Sequence, residues 1–391
     1  AGALWAAFAT WHISNEQLHT GPSGASRHLP TSGEDCFPDT GPSGASRHLP
    51  TSGEDCFPDT GPSGASRHLP TSGEHCLPMN GEEKIRADPG AVLGKRVISV
   101  ESIPEGHSGF TYFVTVEGGD EYVLRLPPPN ARIAGTADVM RQGRIMAALH
   151  EAGLPTPAVP IICSDPIVDG RPFVLMERVD GARIEPTAQR EKPHQIAANA
   201  IDVLKRLQAL PLDKTGIGDE EPVSLQVEMM RWAMLMQRAP EELTTRAGEL
   251  GGRLAAQVPV GRVPTLVHGD YHYGNMLFRG PEVAAILDWE IAEIGQPLLD
   301  LGCLCIVAIR RQYQGAPNPG GAISVSMEEL FQLYGVDAGE MRWYAAMSLY
   351  KYASIFGYNL MLHRRGRRPD PMYEGLTDTI VGMIDEGIVL L

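Results

Sequence analysis

A chain of 391 residues with 43% hydrophobic content is long enough for two domains or one large two-lobed domain, and can bury a sizeable core. Its formal net charge of -15 argues against nucleic acid or an anionic membrane surface as the main partner, because polyanions recruit basic patches. No run approaches the roughly 18 apolar residues that a membrane span needs, so the expectation is a soluble, cytoplasmic protein.

In chain order, residues 1–13 are apolar but lack a basic leader and a clear small-residue cleavage site, and are not read as a secretory signal. From Thr20 the unit TGPSGASRHLPTSGEDCFPD runs to Asp39 and again from Thr40 to Asp59, and a third copy decays into SGEHCLPMN. Solenoid repeats share an apolar skeleton while surface positions vary, whereas here even the polar residues are identical. The unit reads as duplicated coding sequence, with too few large apolar residues to offset the entropy of ordering. Residues 1–88 are therefore expected to be a disordered tail. Of the six cysteines, Cys36, Cys56 and Cys76 lie in the repeats, and Cys163, Cys303 and Cys305 sit in apolar stretches without metal-like spacing. They read as free thiols.

From Val92 the pattern turns to strands. The spacing predicts strands over 96–103, 110–116 and 122–126, the last two joined by a Gly118-Gly119-Asp120 turn. A helix is predicted over 137–152, with Val139, Ile145, Met146 and Leu149 on one face and a stop at Gly153. Strands over 159–163 and 173–179 complete a small sheet. Beyond Gly181 the pattern is mostly helical, with helices predicted over 195–210, 225–237, 298–312, 327–334 and 340–363 around a loop-and-strand island at 265–289. A β-rich lobe over 89–180 followed by a helical lobe over 181–391 is an α+β, two-lobed architecture.

The island reads HGDYHYGN over 268–275 and ILDWE over 286–290. Phosphoryl transfer asks little covalent chemistry of a protein: it needs a carboxylate to orient the attacking hydroxyl and take its proton, and oxygen ligands for magnesium. Asp270 and Asn275 have the five-residue separation of the protein-kinase catalytic loop, and Asp288 closes an apolar strand where a second metal-binding carboxylate would stand. With the flanking IGQPLLDLG and YAAMSLYKYA segments, these motifs resemble the aminoglycoside phosphotransferase and choline-kinase-like family over about residues 95–385, closest to the branch of kinase-like domains fused to acyl-CoA dehydrogenases. That resemblance implies a protein-kinase-like fold using ATP and Mg2+, with Asp270 as catalytic base, His268 supporting the loop, Asn275 and Asp288 as metal ligands, and Asp300 as a structural acid.

The β-rich lobe adds candidate nucleotide contacts. Gly106 and Ser108 lie in a glycine-bearing turn whose N–H groups could approach phosphates; an ordinary hairpin loop is the alternative reading. Met176 to Val179 looks like a kinase hinge, in which the backbone of Glu177 and Val179 would meet adenine. Two departures stand out: Arg125 replaces the phosphate-gripping lysine, and Gln142 replaces its paired glutamate. Arg125 is expected to reach phosphate, with Gln142 as its partner. The basic run 363–368 reads as a solvated helix end or as a contact for an anionic acceptor such as a CoA ester, while Trp343, Tyr344, Tyr350 and Tyr352 read as core. Together these features describe a kinase acting on a small-molecule hydroxyl, with no nucleic-acid or membrane partner. An aminoglycoside kinase and an ATP-binding pseudokinase are the alternatives.

Overall fold

The computed structural model describes residues 93–103, 110–130, 133–135, 138–183, 192–310 and 323–391. The repeats, Gly106 and Ser108 lie outside the described residues.

Five antiparallel strands form the first lobe: β1 (Val97–Ser102), β2 (Phe110–Val116), β3 (Glu121–Leu126), β4 (Ile161–Val168) and β5 (Arg171–Glu177), in the order β1-β2-β3-β5-β4. Alternation along β3 splits its side chains between two faces. Leu124 and Leu126 join Val114, Val116, Phe173 and Leu175 in a core on one face of the sheet. Val123 and Arg125 point the other way, with Val174 and Met176 of β5. Against this second face lies α1 (Val139–Glu151), started by Asp138, whose carboxylate accepts the Arg141 N–H. Its Gly143 permits close approach, since a Cβ there would lie 2.8 Å from Val174 Cγ2.

The chain leaves the sheet after Glu177, and by Ala182 it already exchanges two backbone hydrogen bonds with Phe278 of the second lobe. That lobe contains α2 (Pro193–Gln208), α3 (Leu225–Met236), α4 (Ala247–Ala256), α5 (Leu298–Arg310), α6 (Met327–Tyr334), α7 (Ala338–Arg364) and α8 (Thr377–Leu390). α7, 27 residues long, is buried almost all round and carries no amphipathic stripe, as expected of a central helix wrapped by others. Trp343, Tyr344, Tyr350 and Tyr352 all lie in this core. Neither α4 nor α8 is among the helices predicted from the sequence.

Two small ladders stand between the helices and the sheet. β6 (Thr265–Val267) pairs with β9 (Glu293–Gly295), and β7 (Met276–Arg279) forms a hairpin with β8 (Glu282–Ile286). One continuous core runs from α1 and the inner face of β5 through these ladders into the helices. Cys163, Cys303 and Cys305 are free thiols, the last two buried. Among the described residues no helix is long and apolar enough to cross a membrane.

Candidate active site

The loop 268–275 leaves β6 and is held from several sides. Asp300, in the first turn of α5, accepts the N–H of His268 at 2.8 Å and of Gly269 at 2.9 Å. Gly269 has φ +82 and an added Cβ would sit 2.7 Å from the Ile291 carbonyl oxygen, so the turn requires glycine. The Gly269 carbonyl accepts from the Lys351 ammonium on α7. His268 Nδ1 accepts the Asp270 N–H at 3.1 Å, which leaves the ring proton on Nε2 for the Leu287 carbonyl at 2.9 Å. Burial lowers the His268 pKa to about 4. The N–H of Leu287 in turn donates to the Asn275 carbonyl at 2.8 Å. Both backbone groups of Leu287 are thus tied to the loop, and the next residue is Asp288. Its position relative to Asp270 and Asn275 follows from those bonds.

Asp270 is buried, and its carboxylate faces three donors. Tyr352 Oη of α7 donates to Oδ1 at 2.5 Å, Asn275 Nδ2 donates to Oδ2 at 3.0 Å, and His272 Nε2 stands 3.2 Å from Oδ2. His272 Nδ1 accepts the Gly274 N–H, which keeps its ring proton on the side of Asp270. Burial on its own raises the Asp270 pKa. The His272 ring, the Lys351 ammonium and the Tyr352 hydroxyl outweigh it and hold the carboxyl well below the usual carboxylate range. Asp300 differs: burial pushes it up to about 7, against the pull of its two backbone donors and Lys351.

Asp288 lies two residues beyond the end of β8, in the left-handed region at φ +67, which is uncommon for a residue other than glycine. Its Oδ1 is buried with no hydrogen-bond partner among the described residues; Arg125 Nη2 stands 3.6 Å away. Burial raises the Asp288 pKa to about 6, Arg125 opposing the rise and Asp270 adding to it.

Asp288, Asn275, Gly274 and Leu287 form one wall of a cleft of ≈ 410 Å³; Arg125, Val123, Met176, Glu177 and Val179 belong to the other side. Of the residues proposed from the sequence to meet nucleotide or metal, Arg125, Glu177, Val179, Asn275 and Asp288 therefore share one cavity. Glu177 forms a non-hydrogen-bonded pair with Tyr122, flanked by the Arg178 N–H bonded to the Glu121 carbonyl, so the peptide groups of Glu177 point away from β3. Its N–H is donated to the Ala158 carbonyl at 2.8 Å, which leaves the Glu177 carbonyl as the group to offer adenine.

Arg125 forms ion pairs across the cleft with Glu290 at 3.4 Å and Asp288 at 3.6 Å, and the neutral Gln142 is buried on α1. In the basic run, Arg364 makes two bonds to Glu374, at 2.8 and 2.9 Å, and one to Glu242 at 2.6 Å, while Arg368 donates to Asn359. Arg364 thereby ties the end of α7 to the turns that carry Glu374 and Glu242. Sequence reasoning missed His272, Tyr352 and Lys351. His272 was visible inside HGDYHYGN, and Lys351 and Tyr352 inside YAAMSLYKYA, but nothing in the sequence shows that these two reach the loop 82 residues earlier in the chain.

The description "Phosphotransferase enzyme family" fits residues 99–334. The chain belongs to this phosphotransferase family. Among curated relatives it is 27% identical over 282 residues to acyl-CoA dehydrogenase family member 11 of Rattus norvegicus, a match covering 67% of this chain and 36% of the relative. The chain thus spans about a third of the length of that protein. In fold the phosphotransferase resembles aminoglycoside 2'-phosphotransferase-IIIa, solved with GDP (TM-score 0.57, 17% identity, 79% of this chain and 99% of the other). It also resembles aminoglycoside phosphotransferase APH(4)-Ia, solved with ADP and hygromycin B (TM-score 0.55, 16% identity, 78% and 98%). These likenesses establish the α+β, protein-kinase-like fold.

Proposed function

We propose that this phosphotransferase moves the γ-phosphoryl group of ATP to a hydroxyl of a small molecule, with Mg2+ as cofactor. The observation that carries the reading is the convergence of Asn275 and Asp288 with Arg125 and the Glu177–Val179 hinge on one cleft, with Asp270 bonded to Asn275 directly beneath it. Among the described residues no three His, Cys, Asp or Glu side chains converge into a metal cage. Magnesium does not need one, because it is commonly held by one or two protein oxygens together with substrate phosphates and water. The donors present suit it. Asp288 offers a buried carboxylate oxygen that lacks a hydrogen-bond donor, and Asn275, with Nδ2 engaged by Asp270, has its amide oxygen left to offer. Bound there, the metal would neutralise phosphate charge.

Asp270 then receives the acceptor hydroxyl. Its low pKa makes it a weak base that is always ionised, which suits a loose transition state where orienting the nucleophile matters more than early proton removal. Arg125 would grip phosphate oxygens from above, and the carbonyl of Glu177 with the backbone of Val179 would meet adenine. For the acceptor, kinship with an acyl-CoA dehydrogenase family member makes hydroxyacyl-CoA esters the first class to test. The test incubates the protein with ATP, Mg2+ and pooled hydroxy-metabolites, hydroxyacyl-CoAs and aminoglycosides, and looks by mass spectrometry for a gain of about 80 Da, one transferred phosphoryl group. Asp270→Ala should abolish that gain while leaving ATP affinity nearly unchanged, because the carboxylate meets the acceptor rather than the nucleotide. Transfer that survives in Asp270→Ala would remove the assignment, ATP binding with no transfer to any pool would favour a pseudokinase, and phosphorylated aminoglycosides would move the acceptor class.

A further inference from the structure

The protein-kinase pattern holds its β3 cation with a glutamate on the helix packed behind the sheet. Here that helix position is Gln142, which is neutral, and the cation is Arg125, which is always charged. The Arg125 side chain is only 14% exposed, and a buried guanidinium without a counter-charge is costly. The counter-charge is found on the opposite lobe. Arg125 Nη2 lies 3.4 Å from Glu290 Oε2 and 3.6 Å from Asp288 Oδ1, and the Glu290 side chain is itself 3% exposed. The segment carrying these acids is held a second time from the sheet side: Arg141 of α1 donates to the Ala292 carbonyl at 2.8 Å and makes two bonds of 2.6 Å to Glu220.

We infer that Glu290 is a positioning residue that takes over the work of the missing helix glutamate, holding Arg125 over the nucleotide phosphates by a bridge between the lobes. This rests on the proposed kinase reading and adds to it. Asp288 and Glu290 divide the labour. If a metal takes Asp288, that carboxylate is no longer the partner of Arg125, and Glu290 is the anion that still anchors it. Unlike a helix glutamate, Glu290 belongs to the lobe that carries Asp270, so gripping phosphate and registering the lobes become one interaction.

Moving the charge separates this role from mere packing. Gln142 precedes Gly143, whose backbone lies against Val174, and Val174 is the cross-strand partner of Arg125. A carboxylate at 142 therefore starts one residue from the strand pair that carries the guanidinium. Calorimetric titration with ATP and Mg2+ should show affinity about tenfold weaker in Glu290→Gln, the scale of a lost charge-assisted hydrogen bond. The double variant Q142E/E290Q should recover most of it, and KM for ATP should follow affinity while KM for the acceptor does not. In the Arg125→Gln background, where no unpaired guanidinium would destabilise the fold, adding Glu290→Gln should change affinity by less than about twofold, since partners of one interaction are not additive. Unchanged affinity in Glu290→Gln, no recovery in the double variant, or a further large loss in the Arg125→Gln background would each overturn the inference. A wild-type protein that binds no nucleotide would overturn the kinase reading along with it.

Discussion

At Asp270 the carboxylate is surrounded by Tyr352, Asn275 and His272, so its rotamer is fixed before any acceptor arrives. Tyr352 contributes the 2.5 Å bond from α7, and it does not line the cleft between the lobes. Tyr352→Phe should therefore lower turnover by about tenfold, the scale of one hydrogen bond to a charged group, and leave the KM for ATP within about twofold. Steady-state kinetics would check this, and unchanged turnover would make Tyr352 a packing residue only. His268 yields a pH prediction. Its folded pKa of about 4 lies below the ordinary value of 6.5, so the unfolded chain binds a proton that the folded protein refuses. The stability contributed by the neutral ring is present above pH 6.5 and is lost as pH falls toward 4. Denaturant unfolding at pH 7.5 and pH 5 should show the stability gap between wild type and His268→Gln narrowing by about 2 kcal/mol at the lower pH. Equal gaps at both values would show that His268 is not buried in its neutral form.

Among the elements, the strands of the first lobe and the island were legible because alternation and glycine-bearing turns mark them. The helices α4 and α8 were not. AGELGGRLAA carries three glycines in ten residues, and α8 includes Gly382 and Gly387, so local propensity argues against helix in both. Tertiary packing overrides it: Leu250 and Leu254 of α4 are fully buried, and Gly387 lets α8 approach Leu250, where a Cβ would lie 2.7 Å from the side chain. Glycines therefore do two different jobs in these helices, and a pair of substitutions tells them apart. Gly302 sits where α5 crosses α7, and an added Cβ would meet Ser348 Oγ at 2.6 Å and the Tyr344 carbonyl at 2.7 Å. Gly302→Ala should destabilise by about 1–3 kcal/mol, because the backbone of α7 cannot yield as a flexible side chain would. At Gly252 of α4 a Cβ meets nothing within 4 Å, so Gly252→Ala should stabilise by about 0.5–1 kcal/mol through better helix propensity. Thermal melts that moved in the same direction for both would contradict the crossing geometry.

For the molecule as a whole, the order of a β-rich lobe before a helical one was legible from the change of hydrophobic period near Gly181. How the two are fastened was not, because the bridging pairs Arg141–Glu220 and Arg125–Glu290 are separated by 79 and 165 residues and leave no local trace. The same reasoning bears on the repeats. Among the described residues, Leu93 packs against the sheet core. Each copy of the repeat unit offers only two leucine or phenylalanine side chains per 20 residues among glycine, proline and serine, far less than a segment needs to recover its ordering entropy by burial. Deleting residues 1–88 should therefore shift the melting temperature by less than about 2 °C and leave ATP affinity unchanged, since so small a shift corresponds to about 1 kcal/mol or less in a protein of this size. Differential scanning calorimetry and nucleotide titration on the full chain and the truncated one give the answer. A fall of about 5 °C or more would mean that the repeats bury apolar surface against the phosphotransferase after all. A change in affinity without a change in melting temperature would instead mean that the repeats act on nucleotide binding.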